Sequence, residues 1–91
     1  DTGGVTIDPA RYIVKRNGEE ISLPRKEFAL LTLLMSDPGR LFSREEIYSR
    51  VWGEDVVVGD RTIDVHIRKL RQKIGDEHII TVKGVGYKYE K

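Results

Sequence analysis

Cysteine is absent from this sequence. Without a thiol there is neither a disulfide nor a thiolate metal site, which fits a reducing compartment. Apolar runs are short, and none approaches the roughly 20 residues of a membrane span. No basic segment followed by an apolar stretch opens the chain as a secretory signal would. Signs of catalysis are missing as well. No nucleophile–base pair, metal cluster or phosphate-cradling loop stands out, so an enzyme reading has no chemistry to rest on and no cofactor is implied. Position 1 is not Met, and Asp1-Thr2-Gly3-Gly4 reads as linker, so the chain is expected to be a piece of a longer one. The remainder, 5–91, suffices for one small domain with one modest core.

The charge that is present is unevenly placed. The formal net charge is +1, yet residues 1–60 hold 8 Lys/Arg against 11 Asp/Glu while residues 61–91 hold 8 against 4. A basic C-terminal third on a nearly neutral domain points to a local polyanion-binding face.

Hydrophobic periodicity divides the chain. Val5, Ile7 and Tyr12-Ile13-Val14 are strand formers, and Asn17-Gly18 is a two-residue hairpin signal because both residues tolerate positive φ. Ile21 and Leu23 alternate with polar neighbours as in a half-buried strand. From Pro24, suited to a first helical turn, the period becomes helical: Phe28, Leu31, Leu34 and Met35 recur on one face, widened by Leu30 and Leu33. Asp37-Pro38-Gly39 stops that helix, and Leu41-Phe42 is a short extended link. Ser43-Arg44-Glu45-Glu46 has the form of a reciprocal capping box, opening a second helix from about Arg44 to Trp52 that turns Ile47, Tyr48 and Val51 inward and ends at Gly53. A loop at 53–59 follows. Asp60 is an N-cap for a third helix, roughly Arg61 to Ile74, closed by Gly75. Ile79–Val82 and Tyr87–Glu90 flank Lys83-Gly84-Val85-Gly86 as a terminal β-hairpin.

The third helix carries the informative chemistry. On a helical wheel Ile63, Ile67, Leu70 and Ile74 form one core-facing stripe. The opposite face holds Arg61, Val65, Arg68, Lys69 and Gln72, with Thr62 at its edge and His66, Arg71 and Lys73 flanking it. Such a helix fits a major groove about 12 Å wide, where Arg and Lys pair with guanine, Gln with adenine, and an apolar Val with a thymine methyl. Val65 is telling, since a β-branched apolar side chain on a polar face has no evident structural task. A solvated basic face on an ordinary amphipathic helix yields the same pattern; two preceding helices and a basic hairpin argue against it. Lys83, beside a glycine at the hairpin tip, can reach a phosphate or a minor groove, although an ordinary turn looks the same.

Other residues have plainer readings. His66 and His78 lie in different elements without acidic or thiol companions nearby in sequence, so metal is not expected, and His66 is placed as a phosphate contact. Asp64 is read as the intrahelical partner of Arg68 four residues on. Tyr87 and Tyr89 share one side of a strand and are expected to pack. Trp52 reads first as a core or interface aromatic.

The order helix–helix–helix–hairpin behind an N-terminal sheet resembles the OmpR/PhoB family of response-regulator output domains. Leu23-Pro24-Arg25-Lys26-Glu27-Phe28-Ala29-Leu30-Leu31 is similar to its first helix, and Ser43-Arg44-Glu45-Glu46-Ile47 through Val51-Trp52-Gly53 to its second. Asp60-Arg61-Thr62-Ile63-Asp64-Val65-His66-Ile67-Arg68-Lys69-Leu70-Arg71 is similar to its recognition helix, and Thr81-Val82-Lys83-Gly84-Val85-Gly86-Tyr87 to its wing. The resemblance spans about residues 5–90. Pro24 departs from it, standing where the family commonly has a capping Thr, so the first helix must start without that hydroxyl.

The resemblance implies an α+β winged helix-turn-helix domain with an N-terminal antiparallel sheet, three helices and a C-terminal hairpin wing. It implies sequence-specific binding of double-stranded DNA for transcription regulation. The recognition helix would supply Arg61, Thr62, Val65, His66, Arg68, Lys69 and Gln72; Trp52, Thr81 and Lys83 would contact the backbone or lie in the wing. It further implies tandem pairing on direct repeats, an RNA polymerase contact through 53–59, a receiver domain phosphorylated by a sensor kinase, and a bacterial cytoplasmic location. The alternative is a winged-helix module that binds protein, which should carry a larger apolar patch in place of Arg61, Val65, Arg68, Lys69 and Gln72. RNA fits less well, because A-form major grooves are too narrow for this helix.

Overall fold

The computed structural model describes residues 4–53 and 61–90, the side chains of 61 and 62 excepted. The expected Asp60 cap, most of the 53–59 loop and residues 1–3 of the expected linker lie outside the described residues.

The chain opens with an antiparallel sheet of β1 (Val5–Asp8), β2 (Ile13–Arg16) and β3 (Glu19–Ile21), in that spatial order. Asn17 and Gly18 close the β2–β3 hairpin with φ of 53° and 89°, as a two-residue turn of matching twist requires. Gly4, expected in the linker, already belongs to the sheet's edge, since its carbonyl accepts the Asn17 amide at 2.8 Å. Two expectations shift. Leu23 follows β3 rather than extending it, and Tyr12 stands outside β2 with φ 58°. Its half-exposed ring instead stacks on Phe28 at 4.3 Å.

Helix α1 (Arg25–Met35) buries Phe28, Leu30, Leu31, Leu34 and Met35. Leu30 belongs to the centre of that face rather than its margin. Pro24 is the N-cap, not the first helical residue, and no side chain caps the helix start. Its own carbonyl accepts the Phe28 amide at 2.9 Å, so helical bonding begins without the hydroxyl that the resemblance led one to look for.

The Leu41-Phe42 link is in part a strand. β4 (Phe42–Ser43) pairs with β6 (Gly86–Tyr89), and β6 pairs with β5 (Ile79–Val82), giving a second sheet in the order β4-β6-β5. Between β4 and the third helix, α2 (Arg44–Ile47) runs into a π-helical turn, Tyr48–Trp52. The wider turn ends at Gly53, φ 82°, whose amide reaches back five residues to the Tyr48 carbonyl at 3.0 Å. Half of the capping box forms: the Ser43 hydroxyl accepts the Glu46 amide at 3.1 Å. The Glu46 carboxylate goes to Arg40 at 2.8 Å and Arg50 at 3.4 Å instead of returning to Ser43.

Helix α3 (Arg61–Ile74) closes the core with Ile63, Ile67, Leu70 and Ile74. These meet Leu30, Leu31 and Leu34 of α1, Ile47 and Val51 of the second helix, Phe42 of β4, and Val5 and Val14 of the first sheet in one cluster. Gly75, φ 100°, ends α3 and donates its amide to the Arg71 carbonyl at 2.9 Å. Both sheets therefore serve as supports that leave one face of α3 and the β5–β6 turn uncovered.

Candidate nucleic-acid interface

Helix α3 divides cleanly by face. Val65 is 48 % exposed, and Arg68, Lys69 and Gln72 stand beside it in solvent. Arg68 and Lys69 have no ion-pair partner among the described residues. The backbone of Arg61 and Thr62 lies in the first turn of the same helix; the direction of their side chains is outside the described residues. Beside this face the β5–β6 turn exposes Lys83 and Val85, the latter to 45 %.

The two glycines flanking Val85 have separate tasks. Gly84 adopts φ +79° with open space around it. Gly86 is demanded by β4, because a Cβ there would meet the Phe42 carbonyl oxygen at 1.9 Å. A close backbone approach is thus made inside the protein at Gly86, leaving Gly84 to shape the tip.

Three flanking residues of α3 turn away from the open face. His66 packs its ring 5.3 Å from Trp52 and places Nδ1 3.8 Å from the Glu27 carboxylate. That nitrogen is buried without a hydrogen-bond partner among the described residues. Position 66 therefore sits behind the exposed row rather than beside it. Lys73 donates to the same Glu27 carboxylate at 3.1 Å. Arg71 lies against the wing. Its Nε and Nη2 donate to the Ile79 carbonyl at 3.2 and 2.8 Å, and Nη2 also to the Thr81 hydroxyl at 2.6 Å. Thr81 keeps its own hydroxyl proton for another acceptor.

Asp64 also departs from expectation. Among the described residues its ion-pair partner is Arg44 at 2.8 Å, not Arg68, and it accepts the Tyr87 hydroxyl. Burial first, then the hydrogen bond to Asp64 and that carboxylate's charge, push the Tyr87 phenol from 10.0 up to about 12; Arg44 and Arg71 pull the other way. Arg44, Asp64, Arg68, Arg71, Thr81 and Tyr87 line a groove of ≈ 620 Å³ between helix and wing. Spacing along the sequence did not disclose Arg44 or Tyr87 as members of this groove. In sequence the first is a capping-box residue and the second a packing aromatic, and only the wing motif containing Tyr87 points to this neighbourhood.

Trp52, half-buried, lies between Tyr48 at 5.7 Å and His66 at 5.3 Å. His78 is buried against Tyr89, its Nδ1 2.9 Å from the Glu90 carbonyl. Among the described residues no group of three or more His, Asp or Glu could hold a metal ion, and no helix is long and apolar enough to cross a membrane.

A three-helix core, a basic reading face on the third helix and a hairpin beside it define a winged-helix DNA-binding domain. Residues 18–89 match the family described as transcriptional regulatory protein, C terminal, and the chain belongs to that family of OmpR/PhoB-type response-regulator domains that bind DNA and regulate transcription. It is 45 % identical over 95 residues to the sensory transduction protein RegX3 of Mycolicibacterium smegmatis, covering 99 % of this chain and 42 % of RegX3. The chain thus spans less than half the length of that relative. The response regulator DrrB of Thermotoga maritima, an OmpR/PhoB homologue, superposes with a TM-score of 0.90 at 32 % identity, over 100 % of this chain and 43 % of DrrB. The DNA-binding domain of RstA from Klebsiella pneumoniae, solved in complex with the RstA box, superposes with a TM-score of 0.88 at 30 % identity, over 99 % of this chain and 94 % of that domain.

Proposed function

We propose that this domain reads duplex DNA by laying α3 in the major groove and setting the β5–β6 tip, with Lys83, at the adjacent minor groove or its phosphates. The observation that carries the reading is the exposed row Val65, Arg68, Lys69 and Gln72 on one face of a helix flanked by a projecting hairpin. Arg61 and Thr62 extend the row in sequence, Trp52 and Thr81 offer an indole N–H and a hydroxyl to the backbone, and His66 takes part by supporting the Trp52 ring. The RstA domain, similar along nearly its whole length, was solved on DNA, which supports this mode. A protein-docking winged helix would show a wider apolar patch on this face; among its described side chains Val65 is the one apolar residue, beside charged and amide neighbours. The function is binding rather than catalysis.

Family membership supports a reading of the wider assembly as well. A receiver domain outside this chain, phosphorylated by a sensor kinase in a bacterial cytoplasm, controls the domain; two copies sit in tandem on a direct repeat; and segment 53–59 meets RNA polymerase. The reading of DNA is tested with duplexes selected from a random pool. Replacing Arg61, Arg68 or Lys69 by Ala should either weaken binding to every duplex and lower the salt slope by about one, for a phosphate contact, or relax one base position at about 1–3 kcal/mol, for a base contact. Binding indifferent to all three substitutions overturns the assignment of α3 as the reader.

A further inference from the structure

We infer that Asp64 and Arg71 are positioning residues: from one face of α3 they clamp the two strands of the β5–β6 hairpin, so that reading helix and wing meet DNA as one rigid unit. The inference rests on the proposed groove and wing contacts and adds what sets the angle between them.

Asp64 and Arg71 are seven residues apart, close to two helical turns, and therefore share a face with about 10 Å between them along the axis. Each takes a different strand. Asp64 accepts the Tyr87 hydroxyl from β6, and Arg44 at the start of α2 holds the same carboxylate oxygen at 2.8 Å. Arg71 takes β5 through the Ile79 carbonyl and the Thr81 hydroxyl. β5 is an edge strand in the order β4-β6-β5, with one row of its backbone groups lacking a neighbouring strand, and a guanidinium fork supplies donors there. The β4–β6 pairing and the buried Tyr87 and Tyr89 hold the base of the hairpin, and a tie on each strand then limits how far its outer part can swing against α3. The turn beyond the ties, with Lys83 exposed, is then held at a set distance from Val65 and Lys69. A phenol that keeps its proton up to about pH 12 maintains the Asp64 tie at any ordinary pH. Because the wing is ordered before DNA arrives, binding loses little further entropy in placing it. Arg71, although it belongs to the basic helix, is on this account a wing-setting cation and not a phosphate contact.

Two measurements on the 91-residue chain test the clamp. In the free protein, Arg71→Gln combined with Asp64→Ala should lower the backbone order parameters of residues 83–85 from about 0.85 towards 0.6, with α1 amides unchanged as the check on folding. Arg71→Lys, which keeps the charge and loses the fork, should loosen the turn as Arg71→Gln does. A turn as rigid in these variants as in the parent overturns the inference. On duplex DNA, Lys83→Ala and Arg71→Gln should each lower the salt slope by about one and the double variant by no more than either. Losses that add to about two would make Arg71 a phosphate contact in its own right and overturn the clamp. If Lys83→Ala is silent in the parent, the wing contact itself fails, and the order parameters alone decide whether the clamp exists.

Discussion

Glu27 is 1 % exposed and must be answered by partners, since an unpaired buried carboxylate is costly. Lys73 donates to it at 3.1 Å and the His66 ring stands 3.8 Å away, so one side chain of α1 holds two residues of the reading helix. Glu27→Ala should lower stability by about 1–2 kcal/mol, the lower part of the range because Lys73, 35 % exposed, regains water. Glu46→Ala, which frees the more exposed Arg40 and Arg50, should cost under about 1 kcal/mol. Urea midpoints of the two variants compare them directly, and equal losses would remove the special place given to Glu27. Tyr87 yields a titration test. Its phenol is raised, so the fold favours the protonated form; that contribution is whole below pH 10 and fades as pH climbs through about 12. The ultraviolet tyrosinate step removed by Tyr87→Phe should be centred near pH 12, and the parent's stability advantage over the variant should shrink between pH 10 and 12. A removed step near pH 10 contradicts the Asp64 bond. Residue roles of this kind were only partly legible beforehand. Spacing of four along a helix suggested Arg68 for Asp64, but Arg44, twenty positions away in sequence, arrives through the packing of α2 on α3. A helical wheel likewise left His66 on the flank, unable to show that Trp52 and Glu27 wait on that side.

At the scale of elements, legibility tracked how local the cause was. The β2–β3 turn, the apolar stripes of α1 and α3 and the stop at Gly75 depend on neighbours in sequence, and all appear where periodicity and turn chemistry put them. β4 did not declare itself, because two residues have no alternation to read and their partner, β6, lies some forty residues on. The π-helical turn ending the second helix was equally silent: Ile47 and Val51 are buried in either helical form, and only the backbone bond from Gly53 to Tyr48 distinguishes them. The β4–β6 seam makes its own prediction. Gly86→Ala would drive a methyl into the Phe42 carbonyl, at 1.9 Å, and should cost more than about 2 kcal/mol or unseat β4. Gly84→Ala meets no neighbour and bears only the strain of φ +79°, about 1–2 kcal/mol. Thermal or urea unfolding of the pair discriminates between them; a Gly84 variant as damaged as the Gly86 one would mean that backbone strain, and not the seam, governs this hairpin.

At the scale of the whole molecule, apolar surface and charge determine how two copies can meet. The large exposed apolar side chains among the described residues are Tyr12, Leu41, Val65 and Val85, widely separated along the chain, and so few make no hydrophobic seam of the size an obligate dimer buries. The isolated domain is therefore expected to be a monomer in solution by sedimentation. Pairing should come from DNA, with two domains in head-to-tail order on a direct repeat and each α3 entering the same face of the duplex. Same-face entry requires half-sites one helical turn apart, about 10–10.5 base pairs, and a shift of half a turn carries one copy to the opposite side where protein–protein contact is lost. Gel-shift titrations on repeats of varied spacing should show cooperative binding at full-turn spacing and weaker, independent binding at half-turn spacing. Indifference to spacing would remove the contact between copies, and tight binding confined to inverted repeats would replace the tandem pair with a two-fold symmetric dimer. That last outcome would be hard to reconcile with this surface, because a symmetric dimer needs one patch that complements itself. A head-to-tail pair joins two different patches and needs no such self-complementary surface.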